Sequence, residues 1–320
     1  MSETLLQEGA RFGSYTVAKF LGKGASGFVY LMQDSVAMEF VAVKILSGDT
    51  DDARFFREAM NATGLKHPNL VPVYDAAIER ETGRRYLVME YMPRGSLRDK
   101  LASHGPLPLD EVTTITADIA AGLAVLAQNS MVHRDVKPGN IMIGVDGTAK
   151  LSDFGIVRNM EFGPDSNVTD PSEIVGTPAY MAPEQMLDSR SVDARADIYS
   201  LGAVVYEMLT GKRPHEGQSA MTILARALEH HPPPDPRELR PDCPAPLAAL
   251  VMSMMMPGAD DRPADANTVL WLLAHPEKLQ GGEETALPWY YDRATLYALV
   301  ALMFSIEALV VAITMILTKF

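Results

Sequence analysis

The chain has 320 residues, 47% of them hydrophobic and 22% charged, which suits one large domain or two ordinary ones and excludes disorder throughout. Its formal net charge of −13 argues against a broad grip on nucleic-acid phosphates. A single cysteine, Cys243, excludes an intramolecular disulfide and fits a reducing compartment. Met1–Tyr15 lacks the basic cluster and apolar run of a secretory leader, so the chain is expected to begin in the cytosol. Short β-rich runs over Ser14–Leu21, Gly27–Gln33, Phe40–Leu46 and Arg85–Glu90, bounded by glycine or polar turns, predict strands. A helix is predicted from Asp52 to about Leu65, with Phe55, Phe56, Ala59 and Ala62 on one side. From Leu97 onward helical patterns dominate, at Leu109–Gln128, Ala196–Leu209, Ala220–His230, Leu247–Met255 and Ala266–Leu273. Strand-rich followed by helix-rich sequence predicts an α+β chain of two lobes with a cleft between them.

Several motifs stand in a fixed order along these elements. Gly22-Lys-Gly24-Ala-Ser-Gly27 lets the backbone turn tightly and bring its N–H groups against phosphate oxygens. A GxGxxG string alone also fits a dinucleotide site, but here a strand follows where that site needs a helix. In Val41-Ala42-Val43-Lys44 a lysine sits on an apolar strand, where its ammonium needs a partner; Glu58 on the following helix is the candidate. His133-Arg134-Asp135-Val136-Lys137-Pro138-Gly139-Asn140 and Asp153-Phe154-Gly155 come next. Asp135 can accept a proton from an attacking hydroxyl, and Lys137 can neutralise charge on a moving phosphoryl group. Asn140 and Asp153 offer the hard oxygens that suit Mg²⁺. Gly176-Thr-Pro-Ala-Tyr-Met-Ala182-Pro183-Glu184 closes the series.

These motifs together resemble the eukaryotic-type serine/threonine protein kinases found in bacteria, from about Tyr15 to His275. The resemblance implies a β-rich N-lobe over 15–92, a helical C-lobe over 93–278 and a lead-in over 1–14. ATP would lie between the lobes with Mg²⁺, or Mn²⁺ in its place. Leu21, Gly22, Gly24, Gly27 and Val29 would cover the nucleotide, Lys44 would hold its α/β-phosphates and pair with Glu58, and Glu90 to Met92 would form the adenine hinge beside Met89. Asp135 would be the catalytic base, with Lys137 beside it as the serine/threonine-type choice, and Asn140 and Asp153 the metal ligands. Glu184 would pair with Arg262, and Asp197 would hold the catalytic-loop backbone. His215 departs from the family, which more often has Phe there, and a local packing change is expected. Thr169, with Ser166 and Ser172 as lesser candidates, is the expected autophosphorylation site, its phosphate clamped by Arg134 and Arg158.

Residues 279–293, with Gly281, Gly282, Glu283 and Glu284, read as a juxtamembrane linker. Ala294–Thr318 then runs 25 residues with one charge, Glu307. As a helix it would reach ~38 Å, beyond a hydrocarbon core of ~30 Å. Trp289, Tyr290 and Tyr291 precede it as interfacial anchors. A mid-span acid costs ~3 kcal/mol, against ~4–7 kcal/mol returned by the Leu, Ile, Val and Phe of the span, so insertion is expected. Ala294, Ala298, Ala301, Ser305, Ala308 and Ala312 form a stripe of small residues suited to a homodimer or a partner membrane protein, with Glu307 beside it. The expectation is a single-pass protein of the cytoplasmic membrane with its kinase domain in the cytoplasm, in contact with lipid and protein substrates but not nucleic acid, and with no sensor domain beyond Lys319 and Phe320. A non-catalytic scaffold and a small-molecule kinase are the competing readings. The intact motif set weighs against the first and the Gly176–Glu184 segment against the second.

Overall fold

The computed structural model describes residues 5–24, 27–47, 52–153, 178–187, 192–215, 222–223, 226 and 232–279, without the side chains of 53, 54, 57, 58 and 61. Six strands form one antiparallel sheet in the order β1–β2–β3–β4–β6–β5: β1 Arg11–Phe12, β2 Tyr15–Gly24, β3 Gly27–Asp34, β4 Phe40–Leu46, β5 Val73–Ile78 and β6 Arg85–Glu90. Helix α1 (Asp52–Thr63) packs on β5. Period-two alternation gives this sheet two faces with separate cores. Tyr15, Val17, Tyr30, Met32, Val41, Val43, Ile45, Tyr86 and Val88 close an outer cluster. Ala42, Leu87 and Met89, on the opposite side of the same strands, join Phe55, Ala59 and Ala62 of α1 in a core continuous with the second lobe.

That second lobe contains α2 (Leu97–His104), α3 (Leu109–Gln128), the two-stranded ladder β7 (Ile141–Ile143) and β8 (Ala149–Leu151), α4 (Pro183–Leu187), α5 (Arg195–Thr210), α6 (Pro236–Leu239), α7 (Ala245–Met254) and α8 (Ala266–Ala274). Helix α5 is buried on nearly every side, as expected of an apolar helix at the centre of a lobe. A side chain at Gly202 would collide with Met254 and Met255, so α5 and α7 meet at van der Waals distance only because that position is glycine. Helix α2 starts with a capping box between Ser96 and Asp99, and α5 ends at Gly211 in the left-handed conformation that glycine accepts without penalty.

The expected two-lobed α+β architecture is present, and the strands and helices predicted within the described residues fall within a few residues of their expected bounds. The sheet is wider than expected, because β1 and β5 add strands at its two ends. Most of the predicted helix at 220–230 lies outside the described residues, as does the span at 294–318. Among the described residues no helix is long and apolar enough to cross a membrane.

Candidate active site

The roof of the cleft follows from strand alternation. Lys44 stands opposite Val29 on β3 and Leu87 on β6, on the inner face with Ala42, while Val43 and Ile45 turn outward. It is only 3% exposed, and a charge that deep needs a partner. The partner is Asp153, with Nζ–Oδ1 at 2.8 Å. Glu58, the partner expected from sequence, lies on α1 with its side chain outside the described residues. Gly22 and Gly24 end β2 and Gly27 opens β3, while Ala25 and Ser26 between them are outside the described residues. Gly27 has φ 143°, and a Cβ there would stand 2.0 Å from the Ile45 carbonyl oxygen, so no other residue fits. Leu21 on β2 is exposed; Met89, beside Glu90 at the end of β6, and Met92, two residues past that end, are buried.

The floor is built from the loop between α3 and β7. Asp135 receives Lys137 Nζ at 2.7 Å and Asn140 Nδ2 at 2.9 Å, both on Oδ2. Asn140 also donates to the Asp135 carbonyl, and its own carbonyl accepts from the Ser152 amide at 2.8 Å, which ties the loop to the residue before Asp153. His133 is buried; its Nδ1 accepts from the Asp135 amide and its Nε2 faces the Ser152 carbonyl at 2.9 Å. It therefore acts as a spacer within the loop, with both ring nitrogens bonded. From below, the Asp197 carboxylate accepts the amides of His133 at 2.7 Å and Arg134 at 2.8 Å. These anchors hold two non-glycine residues in the left-handed region, Arg134 at φ 64° and Asp153 at φ 60°.

Electrostatics separates the acids. Burial pushes the Asp153 carboxyl up, but the Lys44 ammonium, helped by His133 and Lys137, outweighs it and holds Asp153 below the ordinary carboxylate range. Asp197 moves the other way: burial raises it, against the opposing pull of His133 and the two amides. Asp153 is thus a charged oxygen donor facing the cleft. Asn140 commits its Nδ2 to Asp135, which leaves Oδ1 as its second hard donor. Among the described residues no group of three His, Cys, Asp or Glu gathers to hold a metal. Two oxygen donors suit Mg²⁺, which keeps few protein ligands and takes water and phosphate for the rest.

The surrounding supports are in place. Arg262 pairs with Glu184 at 2.6 Å, as expected, and also donates to the carbonyls of Met256, Pro257 and Arg195. His215 lies buried, and burial together with nearby Arg226 holds it at about 4, a neutral ring in an apolar ring's place. Burial raises the Cys243 thiol, in keeping with an inert role. Gln185, which the motifs did not single out, donates to the Arg134 carbonyl at 2.6 Å. Lys150 pairs with Glu90 at 2.6 Å, and no sequence pattern pointed to either contact. Ser166, Thr169, Ser172 and Arg158 lie outside the described residues.

Comparison with known proteins meets this geometry from outside. The serine/threonine-protein kinase PknB of Mycobacterium leprae is 38% identical over 256 residues, covering 78% of this chain and 40% of its own length. The serine/threonine-protein kinase PrkC of Bacillus subtilis is 36% identical over 226 residues, covering 69% of this chain and 34% of its own. The chain thus spans about two fifths of the length of such relatives. Among solved structures, the PknI kinase domain of Mycobacterium tuberculosis matches with TM-score 0.64 at 27% identity, over 85% of this chain and all of that one. Rad53 in complex with AMP-PNP matches with TM-score 0.68 at 26% identity, over 80% of this chain and 64% of that one. With the protein kinase domain model matching residues 15–272, on which Lys44, Asp135, Asn140 and Asp153 all fall, the chain belongs to the protein kinase family.

Proposed function

We propose that this protein kinase transfers the γ-phosphoryl group of ATP to serine and threonine hydroxyls of proteins. The observation that carries the reading is the convergence of Lys44, Asp153, Asp135, Lys137 and Asn140 on one cleft, with Lys44 Nζ 2.8 Å from Asp153 and Lys137 Nζ 2.7 Å from Asp135. Asp135 accepts the proton of the attacking hydroxyl as its oxygen bonds to phosphorus and the bond to ADP breaks. Lys137, already on Asp135, neutralises charge on the passing phosphoryl group. Lys44 reaches the α/β-phosphates from the roof. Asn140 and Asp153 would hold Mg²⁺, which would offset the negative charge of the phosphates. The relatives are serine/threonine kinases, and the complex of Rad53 with AMP-PNP supports a nucleotide between the lobes.

Transfer of label from ATP to a generic protein acceptor tests this. The full chain is expected to label serine and threonine with Mg²⁺, and Asp135→Asn to lower the rate about 10²–10⁴-fold without changing the melting temperature. No labelling by the full chain, or an undiminished rate in the variant, overturns it.

Two finer points belong to the same proposal. Thr169, with Ser166 and Ser172, receives phosphate from the kinase itself and is clamped by Arg134 and Arg158. Phosphopeptide mapping of active protein that finds all three unmodified refutes this. Residues 294–318 anchor the kinase domain to the cytoplasmic face of a membrane and pair through the small-residue stripe beside Glu307. Full-length protein that stays out of the membrane fraction refutes the anchor; an isolated span that stays monomeric, with Glu307→Leu indistinguishable from it, refutes the homodimer.

A further inference from the structure

The strand leading to Asp153 and the strand ending at the hinge are joined by a contact that phosphoryl transfer does not use. Lys150 Nζ lies 2.6 Å from Glu90 Oε2, with both side chains partly buried. In the β7–β8 ladder Lys150 stands opposite Met142. Their neighbours Ile141, Ile143, Ala149 and Leu151 are buried on the other face, so alternation turns Lys150 toward the end of β6. Backbone bonds complete a ring. The Leu151 amide donates to the Asn69 carbonyl and the Val71 amide to the Leu151 carbonyl, each at 2.9 Å, and the Glu90 amide donates to the Pro72 carbonyl at 3.0 Å. Residues 69–72 are thereby bonded to β8 on one side and to the end of β6 on the other, and the ion pair closes the circuit.

We infer that the Lys150–Glu90 ion pair is a positioning device that fixes the hinge backbone at Glu90–Met92 against Asp153, three residues beyond Lys150, and so sets nucleotide affinity. The inference rests on the proposed binding of ATP between the lobes. The hinge takes the base and the Asp153 end takes the phosphates, so the separation between them matters equally before and during transfer. Loss of such uniform binding raises KM and leaves kcat in place.

Calorimetric titration of the full chain with Mg·ATP, alongside initial rates, tests it. Lys150→Met is expected to raise Kd and KM about three- to tenfold while kcat stays within about twofold. The isosteric Glu90→Gln is expected to raise Kd to a similar extent. Lys150→Arg, and the reversed pair Lys150→Glu with Glu90→Lys, should restore most of the affinity. Unchanged Kd in both single variants, a loss confined to kcat, or a reversed pair no better than the singles overturns the inference. A wild type that binds Mg·ATP yet transfers nothing defeats the kinase reading, and the comparison of Kd values still decides the ion pair; a wild type that binds no nucleotide overturns both.

Discussion

The cleft floor around Asp153 and the head of α5 around Asp197 hold aspartates that are stabilised in opposite ways. Asp153 faces a side-chain cation, Lys44, at 2.8 Å, and its carboxyl sits below the ordinary range. Asp197 faces backbone amides within the lobe, and burial raises its carboxyl. A carboxylate paired with a flexible ammonium can exchange that partner for another cation at modest cost. One that satisfies two backbone amides inside the lobe, one buried and one partly buried, cannot leave without stranding both. The first arrangement suits a group that handles ligands, the second a group that holds a loop in shape.

The sharpest way to break this contrast is Asp197→Ala. Each stranded amide costs about 1–3 kcal/mol, so the variant should lose about 2–6 kcal/mol in urea unfolding along with its activity. A loss under about 1 kcal/mol would show that the amides find other partners. Met32→Ala, in the outer cluster of the sheet and far from both acids, should cost a comparable or slightly smaller amount, about 2–5 kcal/mol. Its transfer rate per folded molecule should nonetheless match the wild type. If that rate also falls, apolar packing in the N-lobe reaches the site and the contrast is too simple.

The smallest effect is a change in pH dependence. The depressed Asp153 carboxyl contributes stability that is present above the ordinary carboxylate value and is lost as pH falls through the folded value. In Lys44→Met the burial penalty is opposed only by His133 and Lys137, so the folded value rises and the stability present above the ordinary carboxylate value shrinks. The gap in melting temperature between wild type and Lys44→Met should therefore widen between about pH 3 and about pH 6. A constant gap would mean that Lys44 does not govern Asp153.

How much of this was legible in the sequence depended on length and on local chemistry. The inner face of β4 was readable because Lys44 interrupts an apolar run. The floor of the site was readable because Asp135, Lys137 and Asn140 stand close together in sequence on one short loop. By contrast β7 and β8 have three residues each, too few to display a period, and β5 carries a register shift between Val73 and Asp75 that blurs its alternation. Helix α2 was not singled out beforehand, although Ser96 and Asp99 carry a capping-box spacing that fixes its start. Gln185 and the Lys150–Glu90 pair depend on contacts across 51 and 60 residues, and no local pattern encodes such meetings.

Arg134 and Asp153 are also two of the four non-glycine residues, among those described, where the chain is wound against its own preference. With φ of 64° and 60°, each gives up roughly 1–3 kcal/mol relative to relaxed backbone. The competent pose is therefore a cocked one, and its catches are the Asp197 carboxylate under Arg134 and the Lys44 ammonium on Asp153. Releasing either catch would let the strained peptide relax locally, so a small turn of the main chain would be enough to disarm the site.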